Sequence, residues 1–309
     1  MRNALCNSLI NHAAKEDFVF LTGDLGYNAL EPLRAAMGPR FINAGVAEQN
    51  MISVAAGMSS LALVPWVYSI APFVYARPFE QIRNDVCMHG LHVVIVGNGG
   101  GYAYGSMGAT HHALEDYGTL LGLPDMHAFI PAFAADVPVI VNRLFDFKRP
   151  SYLRLGRCEK PGDLTLPPYA PWRRLCDGRG PAMVVAGPLA GGILGAVSNM
   201  AESARPSLWV LTELPVKKEA IPDGLINDIR QSGCLFVVEE HVAHGGAGQM
   251  LACALLEMNE APREFIHRSA RGYVSGLYGS QLFHRRECGL DPGSIVAEVM
   301  KRYGTAAKS

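Results

Sequence analysis

A single carboxylate opens an apolar, Ala-rich helical stretch at Gly45-Val46-Ala47-Glu48-Gln49-Asn50-Met51, which runs on to about Leu63. Taken alone, a Glu in a first helical turn is usually a solvated charge favoured by the helix dipole. Further along comes Gly105-Ser106-Met107-Gly108-Ala109-Thr110-His111-His112-Ala113-Leu114-Glu115-Asp116, a Gly-rich loop that carries imidazole. A His titrates near neutrality, which suits it to handling protons on substrate oxygens. Gly97, Gly99, Gly100, Gly101, Gly105 and Gly108 let the backbone pass close to a ligand. Tyr68-Ser69-Ile70-Ala71-Pro72-Phe73-Val74-Tyr75-Ala76-Arg77 offers aromatic rings on which a flat ligand can lie. Arg2 and Arg157 bear guanidinium forks that match phosphate or carboxylate.

The elements that position these groups alternate. Phe18-Val19-Phe20-Leu21-Thr22, Trp66-Val67-Tyr68-Ser69-Ile70 and His92-Val93-Val94-Ile95-Val96 are continuous apolar runs, the pattern of strands buried on both faces of a parallel sheet. Helices are expected over about Arg2–Lys15, Ala47–Leu63, Arg77–His89 and His112–Leu121. Such alternation predicts a doubly wound α/β sheet, whose ligands bind outside the carboxyl ends of the strands. Asp24, the Ser69–Phe73 segment and the Gly97–Thr110 loop fall at such ends. Ser151–Gly156 reads as the last strand of this first domain. Residues 159–175 hold Pro161, Pro167, Pro168 and Pro171 and read as a linker. A second α/β alternation follows over residues 176–309, with strands at Ala182–Ala186, Leu208–Leu211 and Cys234–Val238.

The chain has 309 residues, 49% hydrophobic and 18% charged, as expected of a folded globular protein with two domains. The low charge suits either a large buried subunit interface or simply an Ala/Gly-rich α/β protein. With 27 Lys and Arg against 28 Asp and Glu, there is no electrostatic footprint for nucleic acid or an anionic membrane. No apolar run approaches a membrane span. The amino-terminal residues lack the apolar stretch of a signal peptide. Seven scattered cysteines without a Cys-x-x-Cys pair suit reduced thiols and a cytoplasmic location.

Together these motifs make residues 1–158 resemble the pyrimidine-binding domain of transketolases, and residues 176–309 the transketolase C-terminal domain. The Gly-Asp-Gly and Asn-Asn signature that holds Mg²⁺ and a diphosphate is absent from the sequence. The resemblance is therefore to the C-terminal subunit of a split transketolase. It implies thiamine diphosphate as cofactor, with Mg²⁺ held by an N-terminal, diphosphate-binding partner subunit, in an α2β2 assembly. The activity implied is transfer of a two-carbon ketol unit from a ketose to an aldose. Glu48 matches the family glutamate, a buried carboxyl that bonds the pyrimidine nitrogen and so lets the cofactor deprotonate its own thiazolium carbon. Phe73, or else Tyr75, is placed as the ring under the pyrimidine, with Arg77 beside it. Asp24 matches a family Asp expected to orient cofactor-side groups or the partner chain, although a turn residue after Gly23 reads equally well. His111 matches the substrate-facing histidine of the Gly-Pro-Thr-His motif. Arg2 and Arg157 match the two arginines that grip a sugar phosphate.

Departures from the family bear on the substrate. Met107 stands where transketolases usually carry an Asp that contacts a substrate hydroxyl, and a thioether cannot replace that bond. Ala109 replaces the usual Pro. Asn98 lies near the position of a phosphate-contacting His, and Asn28 near a Ser of similar duty. An anionic tail would then still be held while hydroxyl recognition changes, which suits an unusual or modified sugar. Two other thiamine enzymes share the plan: the β subunit of a 2-oxo-acid dehydrogenase first component, and a 1-deoxyxylulose-phosphate-synthase-like enzyme. A non-catalytic half that kept the fold is a third alternative. In the second domain, Glu239-Glu240-His241-Val242-Ala243-His244 spans a strand-to-loop transition, which suits a structural turn at a dimer interface better than a metal site.

Overall fold

The apolar runs fold as expected into parallel strands that are buried along their length. The computed structural model describes residues 1–26, 28–159, 162 and 165–303. The strands are β1 (Phe18–Thr22), β2 (Phe41–Asn43), β3 (Val64–Ile70), β4 (Val94–Asn98), β5 (His127–Phe129), β6 (Ser151–Leu155), β7 (Trp172–Cys176), β8 (Ala182–Ala186), β9 (Ser207–Leu211), β10 (Glu213–Leu214), β11 (Cys234–Val238) and β12 (Glu264–Arg268). One sheet has the order β10-β5-β6-β4-β3-β1-β2, the other β12-β11-β8-β9-β7. Both are parallel except for one antiparallel edge strand each, β10 against β5 and β7 against β9. The architecture is thus the expected α/β pair. Its first strand after the Pro-rich stretch, β7, begins at Trp172, inside the residues read as linker.

Strands β6, β4, β3 and β1 lie side by side and parallel, with Thr22 beside Tyr68, and Ile70 beside Asn98 beside Leu155. Their carboxyl ends therefore share one edge, from which the loops carrying Asp24, Phe73, His111 and Arg157 leave. Helices cover both faces, so that Leu21, Val67 and Ile95 fill one apolar cluster while Phe20, Trp66 and Val94 fill another.

Two helical expectations are corrected. The helix expected from His112 begins only at Asp116. Ala113 is instead held in an isolated bridge to Gly101, with N···O distances of 2.8 and 3.0 Å, and its carbonyl also accepts from Arg154. That backbone is committed before a helix can claim it. The helix from Arg2 ends at Ile10, where the chain tightens into i to i+3 turns. Over the third expected stretch the chain is helical from Phe79, with a π-helical run over Ile82–Cys87.

The two domains meet through a buried polar network. Arg154 donates from Nε to Asp116 at 2.7 Å, and from Nη2 to the carbonyls of Ala113 at 2.7 Å and Glu240 at 3.0 Å. Tyr152 donates to the same Asp116 oxygen at 2.7 Å. Glu240 in turn accepts from the Tyr102 backbone at 3.1 Å and from Arg285 at 2.8 Å. Removing one member of such a pair strands its partner's charge in a dry interior. Arg154→Met is therefore expected to cost roughly 3–5 kcal/mol in chemical denaturation, and adding Asp116→Asn should restore part of it. A loss within about 0.5 kcal/mol, the size usual for surface changes, would show that the network is not carrying the contact.

Candidate active site

Glu48 is the first residue of a helix over Glu48–Ser60, and only 4% of it is exposed. Asn43, at the end of β2, sets the surrounding loops. Its Oδ1 accepts from the backbone of both Asp24 and Gly45 at 3.0 Å, and its Nδ2 donates to the Asp24 carboxylate at 2.8 Å. Gly45 turns the chain at φ 73°, a conformation costly for any residue with a Cβ. The carboxylate of Glu48 lies near Gly23 and Ser69, close enough that a Cβ on Gly23 would stand 3.9 Å from Glu48 Oε1 and 3.7 Å from Ser69 Oγ. Ser69 is fully buried, and its hydroxyl has no partner among the described residues. Arg77 donates to Glu48 at 2.8 Å while its guanidinium lies 3.9 Å from the centre of the Phe73 ring. A flat N–H donor that stacks on Phe73 and bonds Glu48 is thus already present as guanidinium. The surroundings suit a pyrimidine, which can lie on the same ring with a nitrogen that accepts from the same carboxyl. Tyr75 lies apart from this group. It points into the core, and its hydroxyl donates to Glu115 at 3.3 Å.

His111 ends a short 3₁₀ turn, Ala109–His111, and its Nδ1 lies 3.0 Å from Thr110 Oγ1. Its ring is edge-on to Phe73 at 5.2 Å and to Tyr104 at 6.2 Å. The two motifs of the sequence therefore meet at Phe73. His112 turns the other way. It is buried, bonds the Gly105 carbonyl at 3.2 Å and stacks on Tyr273 of the second domain. Tyr273 also donates to the Ala109 carbonyl at 3.2 Å. Gly108, at φ 81°, leaves the space that the Tyr278 ring fills. The His111 loop thus rests on the segment Tyr273–Ser280, a support that nothing in the loop's own sequence announces.

Burial pushes His112 below the ordinary imidazole value of 6.5, and does the same to His92, His127 and His241. Folded, these rings refuse protons that the unfolded chain accepts. Their share of stability is intact above about pH 6.5 and is lost as pH falls below it. Melting temperature should therefore decline between about pH 7 and about pH 5.5. A flat or rising profile over that window would contradict the burial of these rings.

Arg2, Asn98 and Arg157 come together from a helix start, the end of β4 and the loop after β6, lining a pocket of about 240 Å³ with Gly99 and Tyr104. Asn28 is not among them. It sits on an exposed left-handed turn, its backbone N–H donating to Glu31 at 2.7 Å. Met107 is 51% exposed and does not line this pocket. Asp24 borders a separate pocket of about 240 Å³ with Thr22, Arg34 and Asn43. The Glu239–His244 turn lies at the contact of the two domains. Glu239 accepts from the backbone of Ala247 at 2.8 Å and Gly248 at 2.9 Å, capping a helix start, and also from Tyr117 and His267. His241 stacks on Tyr117 and accepts from Gly118 at 3.1 Å. Among the described residues no three His, Cys, Asp or Glu side chains are grouped to hold a metal. No helix among them is long and apolar enough to cross a membrane. Sequence reasoning placed Ser69 at a ligand-binding strand end without giving it a role, and it missed Tyr104, although an aromatic inside a Gly-rich loop is a visible signal.

The first domain is a parallel α/β sheet with a buried, helix-leading carboxylate, a stacking ring and a loop histidine gathered on one edge. Residues 4–161 match the family "Transketolase, pyrimidine binding domain". The chain is 30% identical over 264 residues to one of the subunits of the apulose-4-phosphate transketolase of Actinobacillus succinogenes, covering 83% of each chain. The corresponding polypeptide of the apulose-4-phosphate transketolase of Phocaeicola vulgatus is 29% identical over 283 residues, 89% of each. A split-gene transketolase solved as an inactive β4 tetramer superposes with a TM-score of 0.83 at 28% identity, covering 98% of both chains. The chain belongs to the transketolase family, as the C-terminal subunit of a split, two-component enzyme. Its chemistry is ketol transfer dependent on thiamine diphosphate, carried out in complex with a partner subunit.

Proposed function

We propose that this chain supplies the pyrimidine and substrate half of the active site of a sugar-phosphate transketolase. The partner N-terminal subunit holds Mg²⁺ and the diphosphate, in an α2β2 assembly. The observation that carries this reading is the buried Glu48 carboxylate, bonded by a guanidinium that stacks on Phe73. Bound thiamine diphosphate supplies the nucleophilic carbon that takes up the two-carbon unit. Glu48 would hold its carboxyl proton toward the pyrimidine nitrogen and pass it there, Phe73 would support the ring, and the ring would take the place that Arg77 holds beside both. Asp24 faces the partner chain or the cofactor side. His111 holds and moves protons on the substrate oxygens. Arg2, Asn98 and Arg157 grip an anionic tail. Beside Glu48, Val46 is 72% exposed, an apolar rim that suits cover by the partner.

Two relatives are named for apulose 4-phosphate, which makes that sugar phosphate the first substrate to try. The pyruvate-consuming alternatives gain less support, because these two relatives align over most of both chains. We assign the domains to residues 1–158 and 176–309, and the assembly to the cytoplasm, where the seven free thiols persist. Sedimentation of the chain alone and with a candidate diphosphate-binding subunit tests the assembly. A complex with equal numbers of both chains, retaining thiamine diphosphate only when both are present, is expected. Cofactor retention by the chain alone would contradict the division of the site.

A further inference from the structure

We propose that Tyr104 sets substrate specificity by donating its phenol proton to the anionic tail of the substrate, a role that rests on the tail-binding reading of the Arg2, Asn98 and Arg157 pocket. Tyr104 lines that pocket and stands edge-on to His111, so it forms the wall between the tail and the reacting end. A substrate that reaches His111 from the pocket passes this ring.

The position of its hydroxyl is fixed from two sides. Asn98 Nδ2 donates to Tyr104 Oη at 2.6 Å. The ring packs against Gly99, at φ 83°, where a Cβ would collide with it. A phenol oxygen accepts and also donates. Asn98 fills the accepting role, and among the described residues nothing accepts the Tyr104 proton. An anchored donor facing a pocket with two guanidinium groups is placed to meet an anionic oxygen. A phosphate monoester offers three such oxygens; Arg2 and Arg157 supply two cationic donors and Tyr104 a neutral one. Met107, out on the exposed turn, leaves the loop without a carboxylate to read hydroxyls. Tyr104 places a donor on the same loop, three residues earlier in the chain.

The test is Tyr104→Phe, which removes the proton and keeps the ring. In the assembled enzyme, KM for a phosphorylated ketose should rise at least about tenfold, as for loss of a hydrogen bond to a charged group. The same variant should leave kcat, and KM for the unphosphorylated ketose, within about twofold. Because Arg2, Asn98, Tyr104 and Arg157 all come from this chain, a pentose 5-phosphate titrated onto the isolated chain, followed by intrinsic fluorescence, reads the same contact without turnover. Binding at least about tenfold weaker in the variant, with the free pentose unaffected, is expected. Equal affinity in wild type and variant would overturn the role. So would a matched loss for both sugars, which would mean that Tyr104 contacts a hydroxyl or merely shapes the loop. If the wild-type chain itself does not prefer the phosphorylated sugar, the tail pocket is wrong, and Tyr104 falls with it.

Discussion

Glu48→Gln is expected to lower kcat roughly 10³-fold or more, the scale of losing a positioned proton-transfer group, while the complex still assembles. The amide has the shape of the carboxyl and keeps an oxygen for Arg77, so the helix start and its packing survive. It cannot take and return a proton, and the pyrimidine then lacks the partner that makes the cofactor reactive. Turnover and sedimentation, measured on the same preparation, separate the two effects. Intact assembly with turnover within about tenfold of wild type would remove Glu48 from the chemistry.

His111→Ala is expected to cost roughly 10²–10³ in kcat. The ring is half-buried, its one polar contact among the described residues is the neighbouring Thr110, and the backbone of its loop is held by Tyr273 and the Gly101–Ala113 bridge. Deleting the ring therefore leaves the loop in place, and affinity for thiamine diphosphate should not change. His112→Ala provides the contrast: a buried ring stacked on Tyr273, its loss should lower the melting temperature. A larger kcat loss in the His112 variant than in the His111 variant would reverse the roles assigned to the pair.

Much of this was legible in the residues. Uninterrupted apolar runs betray strands that are buried on both faces, so β1, β3, β4 and β6 stand where their patterns put them. Short edge strands are different. Glu213–Leu214 and Phe41–Asn43 exist because a neighbouring strand offers hydrogen bonds, and nothing in two or three residues encodes that. The choice between Phe73 and Tyr75 needed the local conformation. They lie on a helical stretch, Ala71–Ala76, where a spacing of two residues turns the side chains about 200° apart. One faces the Glu48 site and the other the core. Glu48 and His111 could be singled out because their neighbours are as specific as they are, and the structure brings both beside Phe73. Tyr104 could not be, because its placement depends on Asn98 and Gly99 folding under it.

The most direct test of the whole account is turnover on reconstitution. The chain alone, a candidate diphosphate-binding subunit alone, and the two together would each receive thiamine diphosphate, Mg²⁺ and a panel of ketose phosphates with aldose acceptors, apulose 4-phosphate included. Ketol transfer by the mixture, and by neither chain alone, is the expected result. Full transfer by the single chain, or a stable cofactor-bound complex that consumes pyruvate and releases carbon dioxide instead, would contradict it.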